Sequence, residues 1–138
     1  MNRILLILEL VFLIPVALIC ILFLYFVLGA AASVPGLLFA GLYVLTLVAQ
    51  VATFDIGRKY LQLGSDALRT IDSSRWVSAM VGAAAFVALC IAQYLSRRPD
   101  EGDFNVAPYL GAFLVPLVHL GMLRLRALTI TGADREFR

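Results

Sequence analysis

The sequence predicts an all-α integral membrane protein: a single bundle of four transmembrane helices with cytoplasmic N- and C-termini and an amphipathic cytoplasmic helix between helices two and three. Of the 138 residues, 62% are hydrophobic and 14% charged, whereas soluble domains have about 45–50% apolar and about 25% charged residues. Four apolar runs each approach the roughly 20 residues that a helix needs to cross a bilayer. The Lys and Arg residues fall mainly on one side of these runs, which orients them.

Helix one is predicted over about residues 4–28, where Glu9 is the only charged side chain. A cleaved signal peptide is the competing interpretation. Its apolar part would be about 7–15 residues long, and this run is longer and contains a carboxylate, so we expect a retained helix. Helix two follows over about 35–54 after a short uncharged connection. A proline near its start fits the first turn of a helix, so the sequence predicts a tight antiparallel hairpin.

The linker over residues 55–75 has apolar residues at helical spacing: Ile56, Tyr60, Leu63, Ala67 and Ile71. This periodicity predicts an amphipathic helix on the inner leaflet, or an extension of helix two into the cytoplasm. Four basic residues are candidates for contact with a partner or with the inner leaflet: Arg58, Lys59, Arg69 and Arg75. The alternative is an ordinary connector that rests its apolar side on lipid headgroups. Docking of a partner remains open because a turn alone needs fewer residues.

Helix three is predicted over about 76–95 and helix four over about 106–128, followed by a cytoplasmic tail over 129–138. Because membrane helices associate through close packing at small residues, helix three is the expected packing hub. Its candidate packing positions are Ser78, Gly82, Ala84, Ala88 and Ala92. The largely bulky helix one is expected to face lipid or an apolar partner.

Orientation follows from the basic residues. Nine of the eleven Lys and Arg residues lie on the side of the termini and the 55–75 linker, and only Arg97 and Arg98 lie on the other side. The positive-inside rule therefore predicts that both termini are cytoplasmic. The expected location is a bacterial inner membrane, crossed several times, with the lipid bilayer itself as one binding partner.

Four polar side chains fall within or close to the predicted spans: Glu9, Gln50, His119 and Arg124. An ionised group at mid-membrane costs at least about 2.5–3.5 kcal/mol, so each needs a partner, water or a neutral state. Because helices one and four run antiparallel, Glu9 and Arg124 can lie at the same height and neutralise each other, with Gln50 and His119 completing a buried polar layer. The alternative is that Arg124 reaches the inner headgroups and Glu9 faces His119. A third interpretation places both charged groups near the interface, in contact with water.

The sequence contains no recognisable catalytic constellation, and we expect neither a cofactor nor a metal. Cys20 and Cys90 stand alone on separate helices, which argues against a dithiol oxidoreductase. His119 is the only histidine, so the chain cannot supply both axial ligands of a bis-histidine haem. The formal net charge of +2 is too small to indicate a nucleic-acid partner.

Three hypotheses on function follow. The first is a non-catalytic membrane protein that acts through protein–protein interaction, as an accessory subunit or as an immunity-type protein against a membrane-active toxin. The second is a small oligomeric proton-coupled transporter or channel that uses Glu9. The third is a membrane-anchor subunit of a redox complex in which His119 is an axial ligand. The first and second also leave a homo-oligomer open.

Overall fold

A computed structural model describes residues 3–29, 34–96 and 107–136. These residues form five α-helices and no strand. The helices are α1 (Arg3–Gly29), α2 (Val34–Leu63), α3 (Ser65–Thr70), α4 (Ser73–Leu95) and α5 (Ala107–Glu136). All but α3 are long and apolar enough to cross a membrane. The prediction of an all-α chain with four candidate spans is therefore confirmed.

The linker differs from the single amphipathic helix predicted between helices two and three. Helix α2 continues through Leu63, the short α3 follows, and α4 begins at Ser73. Gly64 separates α2 from α3 with a φ of 77°, a left-handed conformation that costs little only because glycine has no Cβ. The extension of helix two, which was the alternative, accounts for the first part of the linker.

The predicted apolar stripe of the linker is buried at Ile56, Ala67 and Ile71 and half-buried at Tyr60. The prediction is wrong at Leu63, whose side chain is 70% exposed. The turn at Gly64 ends the helix directly after this residue, so the stripe does not continue in phase across it. Helical spacing alone could not show where the phase is lost.

The start of α1, the end of α2, α3 and the start of α4 lie together at one end of the bundle, called here the α3 end. One buried cluster joins them, made of Leu6, Leu10, Ile56, Leu68, Ile71, Trp76, Ala79 and Leu120. A second buried cluster is made of Leu13, Val16, Cys20, Tyr43, Ala49, Ala83, Phe86, Leu89, Cys90 and Phe113. The first cluster includes Leu10, next to Glu9 on α1, and Leu120, next to His119 on α5, so it helps to position these two polar side chains.

Two local contacts fix the α3 end. Arg69 on α3 donates hydrogen bonds to the Ala127 carbonyl of α5 from Nε at 2.9 Å and Nη2 at 2.5 Å. Asp72 caps α4: it accepts from the Ser74 hydroxyl at 2.8 Å and from the Ser74 backbone N–H at 3.3 Å. These hydrogen bonds to Ser74 hold the pKa of Asp72 below its usual value, the side-chain bond contributing most. The carboxylate thus satisfies one of the free N–H groups that begin a helix.

Helices α2 and α4 pack against each other at Gly82. A Cβ atom at this position would collide with the carbonyl oxygen of Leu45 and the side chain of Ala49. The absence of a side chain therefore allows the two backbones to approach as closely as they do.

The predicted helix three is α4 in the structure. The prediction that it has one packing face of small residues is correct only in part. Gly82 is buried, and Ser78 and Ala92 are half-buried, but Ala84 and Ala88 are exposed. Two residues turn a helix by about 200°, so Ala84 points nearly opposite to Gly82. Ala84 and Ala88 therefore lie on the outward face of α4, exposed among the residues that the structure describes.

Candidate functional site

The carboxylate of Glu9, on the first of the four candidate spans, contacts His119. Glu9 lies on the face of α1 that also buries Leu6, Leu10 and Leu13, because positions three and four apart share a helix face. Glu9 Oε2 is 2.7 Å from His119 Nδ1, and the two side chains are only 12% and 7% exposed. A polar pair thus bridges α1 and α5 in the interior of the bundle.

The chemistry of this pair depends on one proton. The contact is satisfied when Nδ1–H of His119 donates to an ionised Glu9, and equally when the carboxylic acid of Glu9 donates to an unprotonated Nδ1. The two groups can therefore exchange a proton without losing their hydrogen bond. Burying either group without the other would be less favourable in free energy than burying the hydrogen-bonded pair, because an unpaired polar group in hydrocarbon has no water to bind.

Arg124 is not the partner of Glu9, so the possible ion pair between them does not form, and the alternative in which Glu9 faces His119 is the arrangement observed. The guanidinium carbon of Arg124 lies 4.7 Å from the centroid of the Trp76 ring, a cation–π distance. Its Nε is buried without a hydrogen-bond partner among the described residues. Arg124 follows His119 by five positions, which turns the helix by about 140° net, so the two side chains cannot converge on one carboxylate.

Gln50 does not complete a layer with His119. It is 3% exposed, and its amide nitrogen donates to the sulfur of Cys20 at 3.6 Å. Cys20 is eleven residues beyond Glu9, which is roughly 16 Å along the helix. The single polar layer predicted from sequence is therefore wrong, and the buried polar groups lie at two separate heights. The Gln50 carbonyl oxygen is buried with no partner in the described part of the chain.

The basic residues of the linker are largely engaged within the chain. Asp55 binds three of them: Arg58 at 3.6 Å, Lys59 at 3.5 Å and Arg75 at the start of α4. Arg69 holds the backbone of α5, as described above. Arg58 keeps the most exposed side chain of the set, 60%, so it is the one that remains most available to a partner or to the membrane surface.

Sequence reasoning missed Asp55 as the residue around which these cations gather. The signal was present, because Arg58 and Lys59 follow Asp55 at the i+3 and i+4 spacings that bring opposite charges together on a helix. It also missed Trp76 as the surface against which Arg124 lies. That contact joins α4 to α5, and helical spacing does not predict contacts between helices.

No family model, curated protein or solved structure matches this chain.

Proposed function

We propose that this chain is a small non-catalytic membrane protein that acts by binding another membrane protein. It would do so as an accessory subunit, or as an immunity-type protein that neutralises a membrane-active toxin. In this proposal the α3 end, with its cluster of basic residues, lies in the cytoplasm of a bacterial inner membrane, as the positive-inside rule predicts.

The observation that supports binding is the outward face of α4. Ala84 and Ala88 are exposed there one turn apart, between Val81 at 49% and Ile91 at 54% exposure. Helices in lipid associate where small residues let their backbones approach. Gly82 is already used for the contact with α2, so α4 carries small residues on two faces and only one of them is covered within the chain.

The interior polar groups are consistent with a passive bundle. Glu9 and His119 satisfy each other, and Asp55 is surrounded by basic side chains. Both contacts join different helices and stabilise their arrangement. The working surface in this proposal is therefore the exterior of the bundle.

Photo-crosslinking in native membranes tests the proposal. A photoreactive amino acid at position 84 or 88 should form an adduct with one defined protein, while the same group at Leu125, an exposed position on α5, should not. An adduct of twice the mass of the chain would identify a second copy as the partner. Lipid adducts alone at all three positions would refute binding through α4.

A proton-coupled transporter or channel is the second candidate, and the Glu9–His119 contact favours it. Two titratable groups in hydrogen-bond contact in the interior of a bundle are typical of proton relays. Reconstituted vesicles with an internal pH-sensitive dye test it by comparing the wild type with Glu9→Gln. Proton flux in the wild type that is lost in the variant would support this candidate. Equal rates in both, or no flux in the wild type, would exclude it.

A further inference from the structure

A groove on the outer surface of the bundle runs between α1 and α2. Its volume is about 420 Å³. On α1 its wall includes Leu13, Ala17 and Ile21, and on α2 it extends from Leu47 to Arg58. Eleven residues of helix correspond to roughly 16 Å, close to the roughly 15 Å thickness of one hydrocarbon leaflet. The groove is thus about as long as a leaflet is deep.

The walls of this groove are apolar along most of its length. Exposed side chains such as Leu18 and Val51, 58% and 71% exposed, form its rims, so it opens sideways toward the surroundings of the helices. Gln50 also lies in the wall, with its amide nitrogen bound to Cys20. An apolar groove of this kind fits a flexible hydrocarbon chain, because such a chain needs no hydrogen-bond partner.

The end of the groove near α3 lies beside a cluster of basic residues. Asp55 and Arg58 both line this end of the groove. One carboxylate there faces the three cations of Arg58, Lys59 and Arg75, which leaves a formal excess of two positive charges. The side chain of Arg58 is 60% exposed and only 3.6 Å from Asp55, so it can turn toward an anion outside the protein without leaving its internal partner.

We propose that this groove binds an anionic phospholipid, with one acyl chain along α1 and α2 and its phosphate against Arg58. The apolar walls match the chain, and the excess positive charge matches a headgroup of net charge −1. A zwitterionic lipid offers the same chain, but its cationic group meets the same cluster of cations. Basic residues near a membrane surface each attract anionic lipid by about 1 kcal/mol, or about fivefold in affinity.

Native mass spectrometry of the purified full chain tests this site. The protein is equilibrated in detergent with equal amounts of palmitoyl-oleoyl phosphatidylglycerol and the matching phosphatidylcholine. The wild type should retain the anionic lipid in preference, and Arg58→Gln should lower that preference about fivefold. Arg126→Gln, which removes an exposed cation from α5, is the matched control and should change little. Equal loss in both variants, or no preference in the wild type, would overturn the proposal.

A second pair of variants tests the groove itself. Ala17→Phe places a ring in the groove and should reduce retention of both lipids. Leu125→Phe adds the same ring to an exposed position on α5 and should leave retention unchanged. Identical retention in these two variants would show that the lipid lies elsewhere. If Ala17→Phe does not fold, the comparison of Arg58→Gln with Arg126→Gln still decides the proposal.

Discussion

Glu9 on α1 and His119 on α5 are 110 residues apart in the chain, and their side chains meet at 2.7 Å inside the bundle. The contact connects the first and the last helix that could cross the membrane. It replaces two costly buried groups by one satisfied pair. Its contribution to stability depends on both partners being present.

We expect removal of both partners to destabilise the fold less than the two single removals added together. Glu9→Leu leaves the His119 ring buried without its hydrogen-bond partner, which should destabilise the fold by about 1–3 kcal/mol. Glu9→Leu combined with His119→Leu removes both polar groups and should be less destabilising than the sum of the two single changes. Unfolding in mixed detergent micelles measures the four forms of this double-mutant cycle. A coupling energy near zero would mean that the two groups do not depend on each other.

Gly82 should tolerate no side chain. In Gly82→Ala the new methyl group would meet the Leu45 carbonyl and Ala49, so α2 and α4 must separate. We expect a loss of about 1–3 kcal/mol in the free energy of unfolding, the usual range for an overpacked contact. Gly41→Ala on α2 is the matched control, because a Cβ at that position would have no neighbouring heavy atom within 4 Å among the residues that the structure describes. It should stabilise the helix by up to about 1 kcal/mol, and the same sign for both variants would contradict the close approach at Gly82.

Arg124 should influence the fluorescence of Trp76, the only tryptophan in the chain. Arg124→Met keeps much of the side-chain volume but removes the cation over the ring. We expect a shift in the emission maximum and a loss of about 0.5–2 kcal/mol in stability. Arg126→Met changes an exposed neighbour on the same helix and should alter neither quantity. An unchanged Trp76 spectrum in the Arg124 variant would contradict the cation–π contact.

The cap at Asp72 should make the stability of the fold depend on pH. Because its folded pKa is lowered by hydrogen bonds from Ser74, its contribution is present above its ordinary pKa and is lost as the pH falls through the lowered value. Asp72→Asn retains a capping oxygen but does not titrate in this range. We therefore expect the wild type to be the more stable form near neutral pH and the difference between the two to shrink under acid. Thermal unfolding in detergent at a series of pH values measures this, and a constant difference would contradict the cap.

The four long helices were predictable because hydropathy over 20 residues is a property of each segment alone. Glu9, Gln50, His119 and Arg124 were recognisable for the same reason, since a bilayer excludes such groups unless they are paired. Their partners were not predictable. Which of two residues on α5 meets Glu9 depends on the rotation of that helix about its axis, and the sequence offered His119 and Arg124 as alternatives. The sequence also could not show which face of α4 is buried. Ala84 and Gly82 are both small, but only Gly82 packs against α2.

The gathering of Arg58, Lys59 and Arg75 around Asp55 restricts how this region can change over time. Loss of the carboxylate first would leave three positive charges close together with nothing between them. Loss of a cation first leaves Asp55 with two remaining partners. In related sequences we therefore expect substitutions of the basic residues at positions 58, 59 and 75 to precede substitution of Asp55. A change at position 55 becomes acceptable only after some of these positive charges have been lost.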